Sequence, residues 1–360
     1  MAAVLLAAPV LVAGAEQAPP VATGETSAEP EPQPEPQPAP RLVIKGFGDI
    51  NYRYRGQDSE DVPNTFSLGQ LDLFMTSALS DSLSVLAEVV VESEDNESAK
   101  IEVERYQIKY SASDWLNVVL GRMHTALGHW NQTYHHGTWF QTTTSRPEVY
   151  HFEDEGGVLP IHEVGVSVRG EVPRTGSALH YVAEIGNGRR WTDLENREGH
   201  DQNRPKSTNL GLSLRPERWR GAEVGASFYR DDIPAASDTS IANEIIAAYG
   251  LYRTPSVELM AEWLRLSFRQ VGSGFRYDNH AGYLQASRAF GKLRPYYRYD
   301  RQDIAAGTPL IGGFGASEKH VLGVRLDPGA WVGLKAQYER ASQNKGAGGN
   351  GAHVQLVFVF

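Results

Sequence analysis

The chain has 360 residues, no cysteine, 36 glycines, 16 tyrosines and a mean hydropathy of −0.40, which is ample for one large domain. The missing cysteines exclude a disulfide framework, thiolate zinc sites, iron–sulfur clusters and a cysteine nucleophile, and the absence of any apolar run of about 18 residues excludes a helical membrane protein. A net charge of −10 argues against a nucleic-acid partner, which would need a basic face; five acids and no Lys or Arg lie in residues 1–40, so residues 41–360 carry only −5.

In chain order, MAAVLLAAPVLVAGA is a short apolar stretch closing on Ala13-Gly14-Ala15, and residues 1–15 read as a secretory signal peptide although no cation follows Met1. A buried first helix is the other reading, disfavoured because the prolines that follow would cut it off from a core. Residues 16–40 read as a Pro-rich periplasmic linker, whose alternating prolines are expected to hold an extended conformation with too little apolar surface to fold.

From Arg41 to Phe360 the dominant pattern is alternation of apolar and polar residues over segments of about ten, broken by turn residues. In GFGDINYRYRG, Ile50, Tyr52 and Tyr54 alternate with Asp49, Asn51, Arg53 and Arg55; in HVQLVFVF, Val354, Leu356, Phe358 and Phe360 share one face. Strands are expected near 41–56, 65–79, 82–92, 101–111, 115–122, 161–171, 177–187, 206–215, 221–231, 241–253, 256–269, 276–289, 292–303, 316–327, 331–341 and 351–360. The fold class is therefore all-β: a transmembrane antiparallel barrel of about 16 strands, domain 41–360, with short turns on one side and long loops on the other.

Energy sets the faces, because Arg or Lys facing lipid at the bilayer midplane costs roughly 2–4 kcal/mol whereas a lumen position leaves it hydrated. The inward set includes Asp49, Arg53, Arg55, Gln70, Asp72, Glu88, Arg169, Glu184, Glu223, Glu244, Arg294, Arg298, Arg325, Lys335, Gln337 and Glu339. Register is ambiguous in three places: a bulge is expected near Trp263 and Leu264, a slip near Glu104, and the phase around Arg288 is open.

The interruption from 123 to 160 is too long for an idle connection, and in a wide barrel it folds economically into the mouth, where Trp130, Tyr134, Trp139, Phe140, Tyr150 and Phe152 can pack on the inner wall. A lid over the rim is the alternative. Glu153, Asp154 and Glu155 would then face the wall arginines across a charged constriction lined by Asp49, Arg53, Arg55, Asp72, Arg294, Arg298 and Arg325. Six of the eleven histidines fall between His124 and His162, but their spacing matches no closed site; no metal or other cofactor is expected, with His129, His135 and His136 as weak candidate ligands. No GxSxG, P-loop or HExxH occurs in residues 41–360, and the pairs His200–Asp201 and Asp278–His280 read as solvated loop polarity, so no catalytic residue is assigned.

The opening strand, the ending on Phe360 and the segment GRMHTALGHWNQTYHHG together resemble bacterial outer-membrane porins, near the phosphate-selective type. That resemblance implies an outer-membrane location among its lipids, a homotrimer of water-filled channels for small hydrophilic solutes or ions, and reading of Val354, Leu356, Phe358 and Phe360 by the barrel-assembly machinery. The mixture of acids with the lumen arginines departs from a phosphate ladder. A passive porin constricted by loop 123–160 is thus the expected function; a plugged barrel recognising ligands through its outer loops, or a hydrolase at the rim, are the alternatives.

Overall fold

The computed structural model describes residues 41–55, 64–93, 99–151, 157–190, 205–234, 240–343 and 349–360. The expected signal peptide and linker lie outside the described residues. Sixteen strands follow one another in a single closed antiparallel barrel: β1 (Arg41–Arg55), β2 (Thr65–Ala78), β3 (Leu83–Ser93), β4 (Ala99–Ser113), β5 (Leu116–His124), β6 (His162–Arg174), β7 (Ser177–Gly186) and β8 (Ser207–Pro216). The second half comprises β9 (Ala222–Pro234), β10 (Ser240–Arg253), β11 (Val257–Gln270), β12 (Arg276–Arg288), β13 (Leu293–Asp303), β14 (Ala316–Leu326), β15 (Val332–Gln343) and β16 (Asn350–Val359). Every expected strand is present, with ends within three residues of the sequence reading. The barrel closes by pairing β1 with β16, from Phe47 opposite Val359 to Arg55 opposite Gly351, and the Phe360 and Gly46 backbones exchange hydrogen bonds of 2.9 and 3.0 Å beyond the last pair.

Side chains sort by the two-residue period. Leu68, Ile101 and Leu322 are 67, 69 and 62 % exposed on the outer surface, where water would penalise them and hydrocarbon would not. Val354, Leu356 and Phe360 share that surface, and Phe358 stacks on Phe360 at 6.4 Å. Arginine in place of Leu322, near the middle of β14, is expected to cost about 2–4 kcal/mol of barrel stability. Denaturant titration of folding into lipid vesicles measures it, and no loss would mean that this surface does not face hydrocarbon.

The slip near Glu104 is real. Glu88 pairs with Arg105 and Val89 with Val103, leaving Glu104 as the extra residue of a bulge that turns its side chain into the barrel, with no exposure. The bulge expected near Trp263 and Leu264 does not exist: β11 pairs without interruption with β10 over Glu258–Gln270 and with β12 over Val257–Arg269. Instead Arg265 stays on the outer surface toward the long-loop end and donates to Asp278 at 3.1 Å. Glu244 was also expected in the lumen, yet it faces outward opposite Arg230, since its neighbour Ile245 is wholly buried inside. Around Arg288 the phase resolves with Tyr283, Gln285 and Ser287 inward, and Arg288 caps the Phe290 ring at 5.1 Å.

Candidate functional site

Leaving β5, the chain turns into the barrel rather than over it. Gly128 makes the turn with φ +70, and a Cβ there would collide with the Tyr150 hydroxyl and the Glu262 carboxylate, so only glycine fits. The helix that follows, α1 (Trp130–Thr133), has no side-chain cap of its own. Its N-terminus is held from the wall: Glu262 of β11 accepts from the His129 and Trp130 amides at 2.8 Å each and from the Tyr150 and Tyr283 hydroxyls at 2.7 Å each. Before it, Glu184 of β7 accepts from the Ala126 amide and the Asn209 side chain, both at 2.8 Å. Trp130, Tyr134 and Tyr150 then pack with Ile245, Leu264, Leu266 and Phe268 of the wall into an apolar core inside the barrel.

Further round the wall, on β13 to β15, cations grip the loop's carbonyl oxygens. Arg298 of β13, fully buried, donates to Thr143 Oγ1 at 3.2 Å, the Ser145 carbonyl at 2.7 Å, Ser145 Oγ at 3.1 Å and the Arg146 carbonyl at 2.8 Å, while its Nε pairs with Asp300 at 2.9 Å. Arg325 of β14 donates to the Trp139 and Gln141 carbonyls at 2.8 and 2.9 Å and lies over the Trp139 ring. Lys335 of β15 donates to the Thr138 and Thr143 carbonyls, Lys319 of β14 meets Glu148 at 2.8 Å, and Thr138 reaches Asp49 at 3.3 Å. These side chains do what buried backbone requires, which is to replace the water that a loop crossing the lumen gives up.

Of the residues expected at a constriction, Asp49, Arg298 and Arg325 thus touch the loop directly. Asp72 is wholly buried in β2. Arg294 sits at the short-turn end, donating to the Pro255 carbonyl at 2.9 Å, and Arg53 is exposed near the long-loop end of β1. The Arg55 side chain and Glu153, Asp154 and Glu155 lie outside the described residues, as does Phe152. Phe140 is 57 % exposed and meets Phe47 edge-on at 5.6 Å. Asp278 and His280 are both on the outer surface, His280 stacked on Trp263. The sequence reading missed Glu258 and Glu262; their shared inner face of β11 is visible in the alternation, but the supposed bulge obscured it.

Beneath α1, toward the short turns, lies a cavity of about 350 Å³ lined by Arg169, Glu171, Arg215 and Glu223 of the wall and roofed by Ala126, His129 and Gln132. Both signs of charge face it. Burial holds His129 down to about 4 despite Glu223, so this roof residue is neutral at pH 7. Glu148 stays below its ordinary range: burial opposes this, but His151 and Lys319 outweigh it.

The fold is that of bacterial outer-membrane porins. The chain is similar to an anion-selective porin from Comamonas acidovorans (13 % identity, 89 % of this chain and 100 % of that one, TM-score 0.61) and to the outer-membrane channel DcaP of Acinetobacter baumannii (12 %, 89 % and 98 %, 0.60). It is likewise similar to in-vitro folded OmpT of Vibrio cholerae in its trimer form (13 %, 90 % and 100 %, 0.58). All three are outer-membrane proteins, and an apolar outer surface on a closed barrel is consistent with the same location. No protein-family model matches the sequence, and no curated protein matches it either.

Proposed function

We propose that the protein is a passive channel for small hydrophilic solutes or ions, narrowed by the segment 123–160 and performing no chemistry. The observation that carries this reading is the anchoring of that segment to both sides of the barrel, by Glu184 of β7 at Ala126 and by Lys335 of β15 at Thr143, eight strands apart, above a cavity lined by both signs of charge. A fold shared with an anion-selective porin supports it. Within the same reading, residues 1–15 direct export, 16–40 form a periplasmic leader, the C-terminal strand is the assembly signal, and three copies associate, as in the trimer form of OmpT of Vibrio cholerae. The mixed lining supports neither a strong anion preference nor phosphate selectivity.

A plugged barrel is the second reading, favoured by the apolar core that Trp130, Tyr134 and Tyr150 build against β9 to β12. Planar-bilayer recording separates the two. Steady open steps are expected from the purified protein, and deletion of residues 130–155 should enlarge them. Silence from the intact protein with steps from the deletion variant would establish the plug, and unchanged steps after deletion would remove the segment from the conducting path.

A further inference from the structure

The bulge at Glu104 aims one carboxylate oxygen at three imidazoles. His162 Nε2 lies 2.5 Å from Glu104 Oε2, His136 Nε2 3.0 Å and His135 Nε2 3.4 Å, and the His135 and His162 Nε2 atoms are 2.8 Å apart. All four side chains are at most 3 % exposed, and their ligating atoms lie within 4.8 Å of one another. Glu104 comes from β4, His162 from β6, and His135 and His136 from the inward segment just after α1.

Amide neighbours determine which ring nitrogens carry hydrogen. Asn131 donates its amide hydrogens to the Thr125 and Ile161 carbonyls at 2.9 and 3.0 Å, so its Oδ1 must accept from His135 Nδ1, at 2.8 Å. Gln70 likewise donates to the His136 carbonyl, so its Oε1 accepts from His136 Nδ1 at 3.2 Å. With hydrogen on both Nδ1 atoms, two neutral imidazoles turn Nε2 lone pairs toward an acceptor-only carboxylate. Lone pair against lone pair repels unless a positive charge sits between. His135, moreover, is held at φ +32, a left-handed conformation that the surrounding contacts must maintain.

We propose that Glu104, His135, His136 and His162 bind one divalent transition-metal ion of the zinc type, which staples the inward segment to β4 and β6. Three imidazole nitrogens and one carboxylate oxygen are a donor set that Zn²⁺ accepts in four-coordinate geometry, and Nδ1 hydrogen bonds from ligating histidines to side-chain oxygens are the usual outer support. The sulfur-free set suits zinc or nickel over a soft monovalent ion. The site stands whether the barrel conducts or is plugged.

The test uses the full chain folded in detergent, stripped with EDTA, supplied with Zn²⁺ and passed through gel filtration. One zinc per chain should be retained, and zinc X-ray absorption should show three imidazoles and one carboxylate oxygen at about 2.0–2.2 Å. Asn131→Ala and Gln70→Ala, which leave the ligands in place, should weaken affinity about 10–100-fold, and His135→Ala should abolish retention. Zinc-loaded protein should also resist protease cleavage within the inward segment several-fold better than stripped protein. Loss of all zinc on the column would overturn the site and leave a protonated imidazole as the charge that reconciles the cluster. A shell of mostly water and carboxylate, or full retention by His135→Ala, would place the ion elsewhere and overturn it equally. Should His135→Ala fail to fold, the absorption spectrum of the unaltered protein decides alone.

Discussion

Glu262→Ala is expected to release the inward segment while leaving the barrel closed. Four donors converge on that one carboxylate: the two amides that open α1 and the hydroxyls of Tyr150 and Tyr283. Each buried donor left without a partner costs about 1–3 kcal/mol, so even with water entering the gap the loss should reach about 3 kcal/mol. Glu262→Gln should fall between: its amide oxygen still accepts from one pair, but its NH₂ group confronts the other. Because the sixteen strands keep their backbone ladder, the damage should be local, with protease cutting between residues 128 and 150 at conditions where the wall stays intact. Wild-type resistance in Glu262→Ala would show that the apolar core alone holds the segment.

The barrel was legible because two solvents impose it. Lipid outside and water within force every residue of a strand to one side or the other, and that choice appears directly as alternation in stretches such as HVQLVFVF. The same argument failed at Arg265. Its cost was reckoned as though every outward position were at the midplane, whereas Arg265 lies toward the long-loop end of β11 and finds Asp278 one strand away. Height along a strand is not written in the period. At Glu104, by contrast, the slip was legible because Val103 and Tyr106 must both face outward, which leaves two residues between them where the period allows one. What that bulge serves was hidden, for Glu104 lies outside the histidine-rich stretch 124–162, and His135, His136 and His162 meet it only through the path of the inward segment. The anchors were hidden for another reason. Arg298, Arg325 and Lys335 bond to loop carbonyl oxygens, which every residue possesses, so no motif in residues 138–146 announces the contact.

Arg298→Met carries the second large effect, and its direction differs from that of a lost pore charge. An exposed lumen arginine would, on removal, shift ion preference and leave stability alone. Arg298 is buried with its guanidinium bonded to Thr143, Ser145, Arg146 and Asp300, so methionine fills much of the volume but strands two carbonyls and an unbalanced buried carboxylate. Removing one partner of a buried pair costs about 3–5 kcal/mol, and lysine should not rescue it, having no planar fork to span Ser145, Arg146 and Asp300 together. Thermal unfolding in detergent reads the cost. A variant as stable as the parent but with a displaced reversal potential would mean that Arg298 faces the water column after all. Glu262 holds the segment at His129, Trp130 and Tyr150 and Arg298 holds it between them, at Thr143, Ser145 and Arg146, so the combined variant should lose less than the two single losses added together. Once one grip is gone, the other restrains a segment already partly free. Strict additivity would mean that the two grips release independently, and the segment would then have to be treated as two structural units rather than one.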